Sequence, residues 1–195
     1  IAMTTHGRSG IGRWLMGSVT DKVVREAETP VLVVRAQEAP PPAPRFQRII
    51  LPLDGSALAE QAIPSATALA KGLGVPVTAL RSISLTAYGY GFADYSVPEY
   101  SMGSFAETVR KDVKDYMDHT ADRLRQQGVM AAEISAPDGQ PADAILAEAE
   151  SAPGSLIVMT TRGRSGVARW VLGSVADRVV RHAPVPMLII RAEDG

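Results

Sequence analysis

Residues 3–35 read MTTHGRSGIGRWLMGSVTDKVVREAETPVLVVR, and residues 159–191 read MTTRGRSGVARWVLGSVADRVVRHAPVPMLIIR. At a constant separation of 156 positions, 20 of these 33 aligned residues are identical. Each copy passes from a glycine-rich segment into an amphipathic helical pattern and then into a short apolar run, which is the order of a loop, a helix and a strand. The chain therefore contains two copies of one supersecondary unit.

The two copies stand in different sequence surroundings. The second closes a long alternating region that begins near Arg45, whereas almost nothing precedes the first. Between them, four of the five residues 40–44 are proline, which favours an extended and fairly stiff linker. We therefore expect a tandem repeat protein in which residues 1–36 are the C-terminal remnant of a truncated first domain. Residues 37–45 are then the linker, and residues 46–195 form one complete domain.

The complete domain alternates between strand and helix patterns. Strands are predicted at 48–53, 75–83, 130–135, 155–160 and 185–191. Helices are predicted at 57–71, 105–127, 141–150 and 173–182, with a long loop over 84–104. Pro64 should kink the first of these helices or shift its start. Five strands alternating with helices predict an α/β fold, with a doubly wound five-stranded parallel sheet in a three-layer sandwich.

Composition argues against several classes of protein. Lys and Arg (20) balance Asp and Glu (21), and only 5% of the residues are aromatic, which disfavours nucleic-acid binding. The absence of cysteine excludes disulfides, thiolate metal sites and cysteine nucleophiles. No apolar run reaches the length of a membrane span. We expect a cytoplasmic protein that binds neither nucleic acid nor membrane.

Two predicted strand ends carry the residues best suited to bind a ligand. Asp54 follows the first strand, and a glycine-rich segment with Gly163 follows the fourth. Farther along, Gly173 and Ser174 stand where the next helix begins, and exposed N–H groups at a helix start favour anions. Each feature alone is also explained by a helix cap. Together they point to one crevice, because ligands of doubly wound sheets bind at the carboxyl ends of the strands.

The same segment carries a motif. The chain resembles the universal stress protein family, whose nucleotide-binding members show G-x2-G-x9-G-[ST] after the fourth strand. Here the pattern is Thr160-x2-Gly163-x9-Gly173-Ser174, so three of the four marked positions match. The first copy departs in the same way, with the corresponding pattern running from Thr4 to Ser18. The resemblance covers nearly the whole chain.

This resemblance implies an adenine nucleotide alpha hydrolase-like fold that binds ATP, with or without magnesium. Pro52 and Asp54 would lie beside the base and ribose, the main chain near Ser82 would contact the base, and the glycine-serine segment would receive the phosphates. The full set of implied nucleotide-binding residues is Pro52, Asp54, Ser82, Met159, Thr160, Gly163, Ser165, Gly173, Ser174 and Val175. No catalytic residue and no metal ligand is predicted.

Two functions remain open at this point. The leading one is an ATP-binding regulatory module of the stress response with slow or no hydrolysis. The alternative is a nucleotide-independent dimerisation module whose ATP site is vestigial, because Thr160 replaces a glycine. A nucleotide hydrolase or transferase has less support, since the pattern offers no nucleophile with a nearby base and no Walker lysine. In relatives the last strands of two domains pair antiparallel, so residues 29–35 are expected to pair with Val185–Arg191, the strand through which the protein would self-associate.

Overall fold

The computed structural model of the chain describes residues 1–4, 17–35, 46–84, 99–161 and 172–193. Its strands are β1 (Ala2–Thr4), β2 (Val31–Val34), β3 (Arg48–Pro52), β4 (Val77–Leu80), β5 (Ala132–Ser135), β6 (Ser155–Thr160) and β7 (Met187–Ile190). Its helices are α1 (Ser18–Glu26), α2 (Ala57–Glu60), α3 (Ile63–Leu73), α4 (Glu99–Gln126), α5 (Pro141–Ser151) and α6 (Ser174–His182).

These strands form one sheet with the order β1-β2-β7-β6-β3-β4-β5. The five strands from β3 to β7 run parallel to one another, as predicted. The first copy adds two more strands, with β2 antiparallel to β7 and β1 parallel to β2. The α/β fold is confirmed, and the sheet is wider than the expected five strands because the first copy extends it.

Helices cover both faces of the sheet. Successive side chains of a strand point to opposite faces, and apolar side chains on both faces are buried only if helices pack on each. In β3, Ile49 and Leu51 face the core formed with α3 and α4, which includes Met117. Ile50 faces the opposite core, formed with α1, α5 and α6, which includes Ile145. All five of these side chains are at most 2% exposed. Two apolar cores on either side of one sheet make the three-layer sandwich.

Two predicted elements differ from the structure. The helix expected over 57–71 is split, because Pro64 lies in the first turn of α3, where its missing N–H costs no helical hydrogen bond. The loop expected over 84–104 is wrong from Glu99 onward, where α4 has already begun. Adding a residue to an existing helix is far easier than starting one, so α4 extends upstream of its amphipathic part. Residues 85–98 lie outside the described part of the chain.

The first copy docks on β7, the last strand of the second copy. The paired residues are Val31 with Ile189, Leu32 with Leu188, and Val33 with Met187. The predicted antiparallel pairing of residues 29–35 with 185–191 is therefore confirmed within this chain. Val24 of α1, 2% exposed, joins the core that contains α5 and α6, so α1 packs on the same face as those helices.

Four charged side chains connect α1 with α6. Arg25 pairs with Asp21 at 2.9 Å, and Arg181 pairs with Asp177 at 2.9 Å, each within its own helix. Across the interface, Arg25 lies 3.2 Å from Asp177, and Arg181 lies 3.7 Å from Asp21. The hydrogen bond from Arg181 lowers the pKa of Asp177, with a smaller contribution from Arg25. The four groups form one charge-balanced network, which we call the interface quartet.

Candidate functional site

The order of the strands places a crevice between β3 and β6. From β3 the chain moves outward through β4 to β5, and it then returns to β6 on the other side of β3. Such a reversal leaves a gap at the carboxyl ends of the two strands that flank it, and ligands of open α/β sheets bind there. Pro52 is the last residue of β3 and Thr160 is the last residue of β6. Two of the predicted site residues thus stand at this reversal point.

The turn after β3 is built around the carboxylate of Asp54. Asp54 Oδ1 accepts hydrogen bonds from the backbone N–H of Ser56 at 2.9 Å and from its hydroxyl at 2.6 Å. The Ser56 oxygen in turn accepts the N–H of Ala59 at 3.1 Å and so caps α2. Asp54 is half-buried, and Gly55 has a φ of +82°, which favours glycine. The helix cap is therefore Ser56, and Asp54 holds the turn that positions it.

The end of β4 is tied to the turn that precedes α5. The Ser82 hydroxyl donates a hydrogen bond to the carbonyl of Gly139. The N–H of Ile83 donates to Pro137 at 2.8 Å, and the N–H of Gly139 donates back to Ile83 at 3.1 Å. These bonds fix the main chain around Ser82 at the rim of the crevice. Ser82 is thus suited to a main-chain contact, because its hydroxyl already has an acceptor within the protein.

Met159 and Thr160 at the end of β6 are both buried, with 6% and 4% of their surfaces exposed. Thr160 pairs with Ile190 on the neighbouring strand β7. The next residue, Thr161, donates its N–H to Ile190 at 2.9 Å and accepts the N–H of Gly173 at 2.9 Å. The strand end and the start of the next helix are therefore joined directly by backbone hydrogen bonds.

The helix α6 begins next to this strand end. Gly173 is its N-cap residue, and the Gly173 amide is already used by the carbonyl of Thr161. Ser174 and Val175 are the first two helical residues, and N–H groups at these positions have no acceptor within the helix. With the positive end of the helix dipole, they can stabilise an anion. An anion at this helix start would therefore meet the N–H groups of Ser174 and Val175, whereas the N–H of Gly173 is bonded to Thr161.

Among the predicted residues, Pro52, Asp54 and Ser82 lie at the ends of β3 and β4, which are neighbours in the sheet. Met159, Thr160, Gly173, Ser174 and Val175 lie at the end of β6 and the start of α6. The structure thus gathers eight of the ten at the carboxyl edges of three adjacent strands. Gly163 and Ser165 lie outside the described residues, so their assignments stay predictions.

One group beside the site was not predicted. The guanidinium of Arg81 lies over the ring of Tyr116, with its carbon 4.8 Å from the ring centroid. The Tyr116 hydroxyl donates to Glu60 at 3.0 Å, and Arg123 donates to the other oxygen of Glu60 at 3.0 Å. Burial, followed by the nearby charge of Glu60, raises the pKa of Tyr116 to about 12. The only signal in the sequence is a cation, Arg81, directly after an apolar strand.

Among the described residues, no three His, Asp or Glu side chains are placed so that they could hold a metal ion. No described helix is long and apolar enough to cross a membrane.

The strand order defines an α/β protein with a doubly wound sheet that reverses between β3 and β6, the place where ligands of such sheets bind. A family model described as the universal stress protein family matches residues 1–35 and 45–191. The chain belongs to the universal stress protein family.

Two curated relatives illustrate the range of lengths. Universal stress protein YxiE of Bacillus subtilis is 30% identical over 154 residues, which cover 75% of this chain and 99% of that protein. Universal stress protein Rv2005c of Mycobacterium tuberculosis is 27% identical over 192 residues, which cover 98% of this chain and 61% of that protein. The chain thus spans about three fifths of the length of this longer relative.

Solved structures support the same fold. A universal stress protein from Archaeoglobus fulgidus matches with a TM-score of 0.67 and 23% identity, over 97% of this chain and 61% of that one. A universal stress protein in complex with cAMP matches with a TM-score of 0.51 and 22% identity, over 76% of this chain and 99% of that one.

Proposed function

We propose that this protein is a cytoplasmic, ATP-binding regulatory module of the stress response, with slow or no hydrolysis. The observation that carries the proposal is the coincidence of two independent features. The reversal point of the sheet lies between β3 and β6, and the glycine-serine segment of the family's nucleotide-binding members begins at the end of β6. A solved relative is described as a complex with cAMP, which supports a site for adenine nucleotides in this fold.

In the proposed complex the phosphates, the ribose and the base of the nucleotide contact different parts of the crevice. The phosphates lie at the N-terminus of α6, where Ser174 and Val175 offer N–H groups and the helix dipole. The ribose lies beside Asp54, whose Oδ1 is bound to Ser56, and the base lies beside the main chain of Ser82. Gly163 and Ser165 complete the phosphate side, and a magnesium ion, where present, is carried by the phosphates.

We propose a regulatory role because these residues can bind a nucleotide, whereas none of them is assigned a part in a reaction. Asp54 and Ser82 already make hydrogen bonds within the protein that hold the backbone in place. We therefore assign no nucleophile and no general base. A ligand that binds one conformation of the protein more tightly shifts the population toward it, and this is how nucleotide occupancy acts here.

A second candidate, a nucleotide-independent interaction module, is favoured by the surface of β7. Strands β2 and β7 occupy equivalent positions of the repeat and are both apolar, so the edge of β7 that β2 covers is also suited to pair with a second β7. Self-association of two chains through Val185–Arg191 requires that β2 leave this edge. In this alternative Thr160 closes the nucleotide site. The division into residues 1–36, a linker over 37–45 and residues 46–195 belongs to the same proposal.

A proline scan of the two helix starts tests the leading function. Ser174→Pro removes one N–H at the first position of α6, where proline is tolerated and where Gly173 already has the extended ψ of 150° that a following proline requires. We expect it to weaken binding of fluorescent ATP about tenfold or more, while the thermal midpoint stays close to that of the wild type. Unlabelled ATP, AMP, GTP and cAMP serve as competitors.

The matched control is Ser18→Pro in the first copy, where Gly17 has nearly the same backbone angles, with ψ of 147°. It should leave the affinity for ATP unchanged. If the wild type and Ser18→Pro both bind no ATP up to millimolar concentration while they remain folded, the nucleotide-independent alternative replaces the leading function. If both variants lose affinity equally, the nucleotide does not bind at α6.

A further inference from the structure

Gly55 and Arg81 pack against each other at the rim of the crevice. A Cβ atom at position 55 would lie 2.8 Å from Nη1 and 3.1 Å from Cζ of Arg81. The distance of 2.8 Å is shorter than the van der Waals contact distance between a carbon and a nitrogen atom. Gly55 also has a φ of +82°, in the left-handed region. The shape of the turn therefore requires glycine at position 55, and the end of the Arg81 side chain packs in the space beside it.

The guanidinium of Arg81 is also supported from the opposite side. The ring of Tyr116 on α4 lies 4.8 Å from the guanidinium carbon, within the range of a cation–π contact. The Tyr116 hydroxyl is fixed by its hydrogen bond to Glu60 at the end of α2. Arg123 binds the other oxygen of the same carboxylate. Arg81 is thus held between a backbone turn and a ring that is itself anchored.

We infer that Arg81 is a positioning residue for the nucleotide site: its guanidinium, clamped between Gly55 and Tyr116, holds the Asp54–Ser56 turn in the conformation that presents Asp54 to the crevice. The inference deepens the proposed function and rests on it for the effect on nucleotide. The effect on the turn stands on the geometry alone. Lysine cannot replace arginine here, because only a planar guanidinium fills the space between backbone and ring.

The first test measures the turn without any nucleotide. Amide hydrogen exchange of Ser56 and Ala59 reports the two hydrogen bonds that define the turn. Arg81→Ala should accelerate exchange at these amides about tenfold, whereas amides in the centre of α3 keep their rates. Lys114→Ala, which removes an exposed cation on the outer face of α4, is the control and should change neither. Unchanged exchange at Ser56 overturns the inference, whatever the protein binds.

A second test asks whether the two residues are energetically coupled. Gly55→Ala should lower the urea midpoint more in the wild-type background than in the Arg81→Ala background, because the new methyl group meets the guanidinium only in the former. A remaining cost in both backgrounds comes from the positive φ. Equal losses in the two backgrounds would show that the guanidinium yields to the methyl group without cost and does not hold the turn, which would overturn the inference.

The third test links the turn to the site. Arg81→Ala and Arg81→Lys should both weaken ATP binding about tenfold, and Lys114→Ala should leave it unchanged. If the wild type binds no nucleotide but Arg81→Ala still loosens the turn, the proposed function fails and the structural clamp stands. If ATP binds and Arg81→Ala loosens the turn without changing the affinity, Arg81 does not position the site. These outcomes separate the two proposals.

Discussion

Leu32 and Leu188 lie opposite each other at the centre of the β2–β7 pair, and each is the counterpart of the other in the sequence repeat. A contact between equivalent residues is the signature of a two-fold relation between two copies. The interface quartet obeys the same relation, because Arg25 meets Asp177 while Arg181 meets Asp21. The two copies are therefore related internally as two subunits of a symmetric dimer are.

This symmetry predicts that the first copy is a docked unit whose loss leaves the rest folded. Val33 is 3% exposed and packs in the core below β7, so Val33→Asp places a carboxylate there at a cost of about 3 kcal/mol or more. Limited proteolysis should then cleave residues 1–35 while the region after residue 46 stays protected. Sedimentation would show whether the uncovered β7 pairs with a second chain.

The matched control is Val19→Asp, since Val19 is 70% exposed and an acidic residue is favourable in the first turn of a helix. It should behave as the wild type. A single cooperative unfolding of the whole chain in Val33→Asp would show instead that the first copy is an integral part of one domain.

The interface quartet predicts a pH dependence. The pKa of Asp177 is lowered from its ordinary value of 3.8, first by the hydrogen bond from Arg181. The folded protein therefore keeps this carboxylate ionised at a pH where the unfolded chain takes up a proton. Its stabilising contribution is complete above the unfolded pKa and is lost as the pH falls through the folded one. Asp177→Asn should cost up to about 1 kcal/mol at neutral pH and nothing in strong acid.

Urea denaturation between neutral and acid pH measures this difference. Asp118→Asn is the control, because Asp118 pairs with Lys114 within α4 and is about half exposed. Its stability curve should run parallel to that of the wild type. An equal loss for Asp177→Asn at every pH would contradict the assignment to charge.

Substitutions of Asp54 and Ser56 should distinguish an effect on nucleotide affinity from an effect on the stability of the fold. Ser56→Ala removes the cap of α2 and should cost about 1 kcal/mol of stability. Asp54→Ala removes the acceptor of the same turn, with a similar cost, and also the proposed partner of the ribose. Only Asp54→Ala should then weaken ATP binding about tenfold beyond its structural effect. Equal losses of affinity would mean that the turn, and not the carboxylate, serves the nucleotide.

Thr160 distinguishes the two candidate functions. Thr160→Gly restores the glycine of the family motif at the end of β6, at a cost of about 1 kcal/mol for glycine in a strand. If the threonine narrows the site, ATP affinity rises in titration calorimetry while the thermal midpoint falls. Thr160→Ser is the control, because it keeps the hydroxyl and shortens the side chain by one methyl group. No gain in affinity with Thr160→Gly would favour a vestigial site.

Tyr116 should be recognisable by its late ionisation. Burial and the charge of Glu60 raise its pKa to about 12, so it stays protonated where an ordinary tyrosine, with a pKa near 10, has ionised. Ultraviolet titration of the phenolate should show a step near 12 that is absent in Tyr116→Phe. Loss of a step near 10 instead would show that Tyr116 is not buried beside Glu60.

The predicted strand ends and the family motif led to the candidate site, and local patterns made most elements predictable. The strand 155–160 has the predicted bounds, because it is a continuous apolar run in a strand buried on both faces. The pairing of β2 with β7 followed from the repeat and from the resemblance to relatives. In these cases neighbouring residues, or a copy of them, carry all the necessary information.

Other features were not predictable because they depend on packing between distant residues. The clamp on the Asp54 turn needs Gly55, Arg81 and Tyr116, which come from three different elements, and nothing in their local sequence connects them. The interface quartet was hidden for a similar reason, although Asp21 and Asp177 stand at equivalent positions of the repeat. Their meeting depends on the antiparallel docking of the copies, which only the assembled sheet defines.

Mapping the bound nucleotide on the protein tests directly whether ATP binds at the carboxyl ends of β3 and β6. Amide chemical shifts of the isotopically labelled chain would be followed while ATP and magnesium are added, with AMP as a comparison. Binding at this edge of the sheet predicts saturable changes concentrated at Asp54, Ser82, Ser174 and Val175, with the helix residues responding less to AMP. No change up to millimolar ATP, or changes centred away from the carboxyl ends of β3 and β6, would contradict it.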